Sequence, residues 1–306
     1  MDELIQFKMD DIINYLKPTL IDTFVLFYGE KEREYITNKF NNTIFIGYIS
    51  KDGYDRLNNI MINKNMSLPI LDNEYVNERI NEYNFLLPID LNEVYNNHMT
   101  SFCPNCIKVE GELVEKNLLF FYGDRDLSLF DCTLIHECNH LYESSVEPDE
   151  EFIKVTSGWD SVSSRNEANP IRPYLELNEM INDYIAEDIT KVIHEKGIYL
   201  LGKEFCDGEI SDAEYANKSS FIIKEFYDLY KDIIIESRKK GNINRLFEMV
   251  GEENFTKLSN LVNEHVIWIN SSSEEKTEEI IEAHYRDIMY RRDLILDNMN
   301  NYNKIN

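Results

Sequence analysis

The stretch "LIHECNHLYESS", Leu134 to Ser145, decides how the rest of the chain is read. Plotted on a helix from Leu134, Cys138 and Leu141 fall beside it, with Ile135 and Tyr142 at the flanks. His136 and His140 fall near about 200° and 240°, and Glu137 near about 300°, at the edge between the two faces. One face is therefore apolar and packs, while the other carries two imidazoles one turn apart. Side chains at i and i+4 are neighbours, the separation that two ligands need to reach one tetrahedral ion. A carboxylate beside such an ion can take a proton from a metal-polarised water. The plain alternative is an amphipathic helix with two unrelated histidines. With six histidines in 306 residues, chance gives His-Glu-x-x-His on the order of once in a hundred such chains.

A catalytic zinc site takes three protein ligands and keeps one position open. The next helical pattern, "YLELNEMINDYIAEDI" from Tyr174 to Ile189, offers the third. Leu177, Ile181, Tyr184 and Ile185 make its apolar face, and Glu176, Glu179, Asp183 and Glu187 share the other. Glu179 and Asp183 are again i and i+4, so a ligating Glu179 has Asp183 beside it to hydrogen-bond a ligand histidine. A solvated acidic face is the other reading of these four residues, and Glu176 is a rival third ligand.

"HECNH" followed by "NEMIND" resembles the gluzincin metallopeptidases, the thermolysin-like group with His-Glu-x-x-His and a downstream Asn-Glu-x-x-x-Asp. The resemblance covers roughly residues 107–190 and is specific only at the motif positions. It implies zinc held by His136, His140 and Glu179, Glu137 as general base, and Asp183 as hydrogen-bond partner of a ligand histidine. It also implies hydrolysis of a peptide or protein substrate. The gap of 39 positions from His140 to Glu179 departs from the pattern, being roughly twice the thermolysin-like one. The insert "PDEEFIKVTSGWDSVSSRNEANPIRP" could form a hairpin over one end of a cleft. By analogy, "NLLFFYG" is the edge strand that takes up substrate backbone by β-addition. The family also uses a Tyr, His or Arg to stabilise an oxyanion; Tyr285, His284, His265 and Tyr174 are the candidates, and none matches a family motif.

The expected fold class is α+β: a zincin-like domain with a mixed sheet and an active-site helix, then a mostly helical carboxy-terminal part. We divide the chain into a mixed α/β region (1–100), a zincin-like core (101–197) and a helical subdomain (198–306). Within the first region "DELIQFKMDDIINYLK" reads as helix, "TFVLFYG" as strand, "EKEREYITNKF" as helix and "TIFIGYI" as strand. "CPNCIKVEGELVEKNLLFFY" reads as a hairpin or meander. Ser211–Glu214 and Ser272–Glu275 both match a capping box.

Composition narrows the partners. Forty-three per cent hydrophobic and 12% aromatic residues are enough for a folded core. The net charge of −26, spread along the chain, argues against nucleic acid or an anionic membrane as partner. No run of apolar residues is long enough to span a bilayer, and the first residues lack a signal-peptide pattern. With five cysteines in an odd set, a reducing, cytoplasmic setting is expected, without excluding non-classical export. Oligomeric state is left open.

Cys103 and Cys106 form a Cys-x-x-Cys with three readings: plain thiols, half of a structural metal site with Cys132, or a redox pair. Two rivals to the peptidase therefore stand beside it. One is a catalytically inactive metallopeptidase-like binding protein, the other a thiol-redox or regulatory protein acting through Cys103 and Cys106.

Overall fold

Thr43–Ser50 reads TIFIGYIS, and all eight of its residues are buried. A strand buried on both faces must lie inside a sheet with both sides covered. In the computed structural model, which describes residues 4–71, 82–87, 89, 100–123, 130–149, 152–163, 172–203, 220–271 and 276–305, that is where it sits. This strand, β2, pairs antiparallel with β1 (Leu4–Phe7) and parallel with β7 (Asn117–Gly123). With β3 (Ile70–Leu71) and β4 (Ser101–Cys103) the five strands run in the order β3-β1-β2-β7-β4.

Period-two alternation sorts the side chains of β2 and β7. Ile44, Ile46, Tyr48, Leu118 and Phe120 form one core cluster, joined by Tyr83, Phe85 and Tyr122. Phe45 and Phe121 point the other way, toward helices. Phe40 of α2 (Arg33–Asn41) stacks on Phe45 at 6.3 Å, and Phe24 of α1 (Met9–Tyr28) meets Phe40 at 6.2 Å. Phe130 of α4 (Phe130–Glu143) packs on Phe121 at 4.9 Å. The sheet thus fixes the start of the His-Glu-x-x-His helix. Between β2 and β3 lies α3 (Lys51–Asn63), whose amino terminus is capped by the Ser50 hydroxyl, which accepts from the Gly53 amide.

Three readings change at this level. Leu4–Phe7 is strand, not helix, because its backbone pairs with Gly47–Ser50. Thr23–Tyr28 is the last turn and a half of α1, not strand. Buried Ile12, Ile13, Leu16, Leu20, Phe24 continue one helical stripe, and a short apolar run carries no periodicity that separates the two states by itself. The "NLLFFYG" strand is internal: β2 and β4 take its hydrogen-bonding groups on both sides. The edge beside it is β4, so β7 has no free edge for β-addition. The expected hairpin is present as β5 (Cys106–Val109) and β6 (Glu112–Glu115). Its two-residue loop, Glu110–Gly111, has both φ angles positive (52° and 90°), as a type I′ turn requires.

The remaining elements are β8 (Ser145–Asp149), β9 (Phe152–Ser157) and β10 (Asp160–Ser163), in a sheet of order β10-β9-β8, followed by helices. These are α5 (Leu175–Glu195), α6 (Lys224–Arg238), α7 (Asn244–Val250), α8 (Glu252–Asn270) and α9 (Glu278–Ile305). The described chain is thus mixed α/β with a helical carboxy-terminal part. No helix among the described residues is long and apolar enough to cross a membrane. Both capping boxes, His98 and Cys206 lie outside the described residues.

The chain divides into two compact units, and the boundary cuts through β9 and α5. The first holds the five-stranded sheet with α1–α4 and the last turns of α5. The second holds α6–α9 with the first turns of α5 and is centred on aromatic rings. There Trp159, Tyr174 and Phe247 meet Phe255 at 5.0, 5.1 and 5.5 Å.

In β2, the Phe7 ring of β1 lies across Gly47, where an added Cβ would fall 2.2 Å from Phe7 Cζ. Phe7 is fully buried and has little room to give. Gly47→Ala is expected to lose about 1–3 kcal/mol by overpacking. Urea denaturation tests this, and unchanged stability would show that the ring can swing aside.

Candidate metal centre

Helix α4 is buried almost all the way round, which two-faced patterning did not anticipate. Besides its apolar residues, Asp131, Glu137, Asn139, His140 and Glu143 are all below 9% exposed. Burying that many polar groups is unfavourable unless each is held. The structure shows what holds the helix. Tyr28 donates its hydroxyl to Asn139 Oδ1, and its ring stacks on Tyr142 at 4.0 Å. Tyr35 donates to the carbonyls of Tyr142 and Ser144 at 3.2 and 3.3 Å. Lys39 Nζ reaches the Ser144 carbonyl at 2.6 Å and Glu115 Oε1 at 2.5 Å. Burial pushes the Lys39 pKa down, while the Glu115 carboxylate pulls it up. An ammonium just beyond the last turn also complements the negative end of the helix dipole.

The other end of α4 is tied to α5. Asp131 Oδ2 accepts from the Leu200 amide at 3.0 Å and lies 2.9 Å from His194 Nε2. His194 carried no signal in the sequence, because its partner stands 63 positions away. The first turns of α5 are fixed through Asn178. Its Oδ1 accepts from Arg238 Nη1 at 2.7 Å and from the Trp159 amide at 3.2 Å, and its Nδ2 donates to Asp160 Oδ2 at 2.7 Å. Burial raises the Asp160 carboxyl above its usual range, and the Asn178 hydrogen bond opposes the rise. Arg238 is fully buried and lies 5.3 Å from the Trp159 ring centre.

Asn178 is the residue before Glu179. His136, His140 and Glu179 each offer a ligand atom, and these atoms all lie within 4.8 Å of one another. The two Nε2 atoms are 3.1 Å apart. Bond lengths of about 2.0–2.1 Å around a tetrahedral ion put ligand atoms roughly 3.3 Å apart, so the imidazole pair fits such an ion with little movement. Two imidazoles and a carboxylate are a donor set suited to zinc. His140 is buried and His136 and Glu179 are half-buried. Glu137, next to His136, is 7% exposed.

Other sequence candidates fall elsewhere. Glu176 is not in the group, and burial together with the Glu179 charge raises its pKa. Asp183 is half-buried on α5, one turn after Glu179. Cys103, Cys106 and Cys132 form no three-ligand group among the described residues. Cys106 is a buried free thiol whose pKa burial pushes up, opposite to a reactive thiolate. Cys138 is buried in the core, as its place on the apolar face implies. Tyr174 packs on Phe255. His265 Nδ1 lies 2.9 Å from His284 Nε2, and both imidazoles stack with Trp268 and meet Tyr285. Those rings form a cluster of their own within α8 and α9.

Asp131→Ala removes the acceptor for a buried amide and for His194, and is expected to cost about 2–4 kcal/mol. Asp131→Asn keeps an acceptor oxygen and should recover most of that loss in urea denaturation. Equal stability of Asp131→Ala and wild type would show that this contact does not hold α4 to α5. No protein-family model, curated protein or solved structure matches the chain.

Proposed function

We propose that this chain is a zinc-dependent metallopeptidase of gluzincin type with a zincin-like fold. The observation that carries the reading is the convergence of His136, His140 and Glu179 donor atoms within 4.8 Å, from two helices separated by a long insert. The mixed sheet, the buried His-Glu-x-x-His helix and the helical carboxy-terminal part support it. When bound, zinc lowers the pKa of a coordinated water and polarises a carbonyl. His136, His140 and Glu179 would hold the ion. Glu137 takes the water proton on its carboxylate and passes it to the leaving amine as the peptide bond breaks. Its low exposure suits a base that works best out of bulk water. The raised Cys106 pKa weighs against the thiol-redox reading.

Purified protein should contain about one zinc per chain by elemental analysis. Glu179→Gln should lose most of it, and Glu137→Gln should retain it. In an unbiased peptide-library digest, Glu137→Gln should lose turnover by several orders of magnitude. Zinc-loaded wild type that cuts no peptide would leave the binding-protein reading. Wild type that takes up no zinc would end the metallopeptidase reading, and a fully active Glu137→Gln would end the assignment of its base.

A further inference from the structure

Glu176 stands in the first turn of α5, one turn before Glu179, and both belong to the second unit. It is half-buried. Two other carboxylates of that unit show the usual arrangement. Asp160 accepts from the Asn178 side chain at 2.7 Å and from the Tyr174 amide at 3.3 Å, and Glu264 accepts from Arg291 at 2.7 Å. Glu176 has nothing of the kind. Among the described residues it accepts no hydrogen bond and pairs with no cation, and the charge it meets is the like charge of Glu179.

A carboxylate drawn partly out of water beside a second carboxylate is unfavourable until a counter-charge arrives. The positive end of a helix dipole favours an acid in a first turn, but roughly half a unit charge does not balance two carboxylates one turn apart. Zinc is another available counter-charge, and Glu176 stands outside the group of converging donors. We propose that Glu176 is a specificity-determining residue of the peptidase site, taking the cationic group of a peptide substrate. The inference rests on the metallopeptidase reading and adds the class of substrate to it. A half-buried carboxylate accepts charge-assisted hydrogen bonds from an ammonium or guanidinium group, and reduced contact with water strengthens them. Side chains at i and i+3 of a helix are neighbours. A cation on Glu176 is therefore held within a residue or two of a carbonyl at an ion on Glu179. The net charge of −26 draws the same class of peptide toward the surface.

Peptides that the zinc-loaded protein cuts in the library digest are remade with lysine or uncharged norleucine at each position flanking the cut. Each is made with the amino terminus free or acetylated. Lysine at one of these positions, or the free terminus, should raise kcat/KM about tenfold over the neutral counterpart. Which of the two does so separates a side-chain cation from a terminal one. Glu176→Gln should remove most of that ratio with zinc content and circular dichroism unchanged. Glu253→Gln, which alters an acid paired with Lys257 on α8, should keep all of it. Cleavage without preference for a cation would overturn the inference while the peptidase reading stands. So would a preference that Glu176→Gln leaves intact, one that Glu253→Gln lowers equally, or zinc lost with Glu176→Gln. Wild type that cuts no peptide would end the peptidase reading, and this inference with it.

Discussion

A helix that must bury three carboxylates, an amide and an imidazole within four turns is the constraint on which the rest of this structure rests. Apolar packing alone cannot hold α4, because each buried polar group without a partner would cost on the order of 1–3 kcal/mol. The chain answers from several directions. Tyr28 takes the Asn139 side chain, Tyr35 and Lys39 take the carbonyls at the end of the helix, and Asp131 receives the Leu200 amide. These bonds set the rotation of α4 about its axis, and with it the direction in which His136 and His140 point. A rotation of one residue, about 100°, would turn both imidazoles away from that direction.

The same reasoning applies to α5. Glu179 sits beside Asn178, whose amide is engaged at both ends by Arg238, Trp159 and Asp160. A fully buried arginine is expensive to desolvate, and here it meets an amide oxygen and the face of an indole. One continuous helix then carries this anchored turn to His194, which meets Asp131 of α4.

The charge of the chain gains meaning from the same contrast. Among the described residues, several acidic groups pair with lysines one turn away along a helix, as Glu187 does with Lys191 and Asp228 with Lys224. Such exposed pairs contribute little to stability. Lys39 departs from that pattern, its buried ammonium tied to a carbonyl at the end of α4 as well as to Glu115.

The local order of residues determined the helical spacing of His136, Glu137 and His140, the apolar face of Leu177, Ile181 and Ile185 on α5, a hairpin or meander between Cys103 and Tyr122, and the strand Thr43–Ile49. Each depends on periodicity or turn chemistry within about a dozen residues, which a sequence displays directly. It failed at Leu4–Phe7 and Thr23–Tyr28, where short apolar runs suit either state and only pairing or packing across the chain decides. It failed again at the edge of the sheet, since strand order follows from long-range contacts that no local pattern encodes. That ligand atoms of His136, His140 and Glu179 come within 4.8 Å of one another, in a group that Glu176 does not join, is a tertiary feature that no local pattern displays.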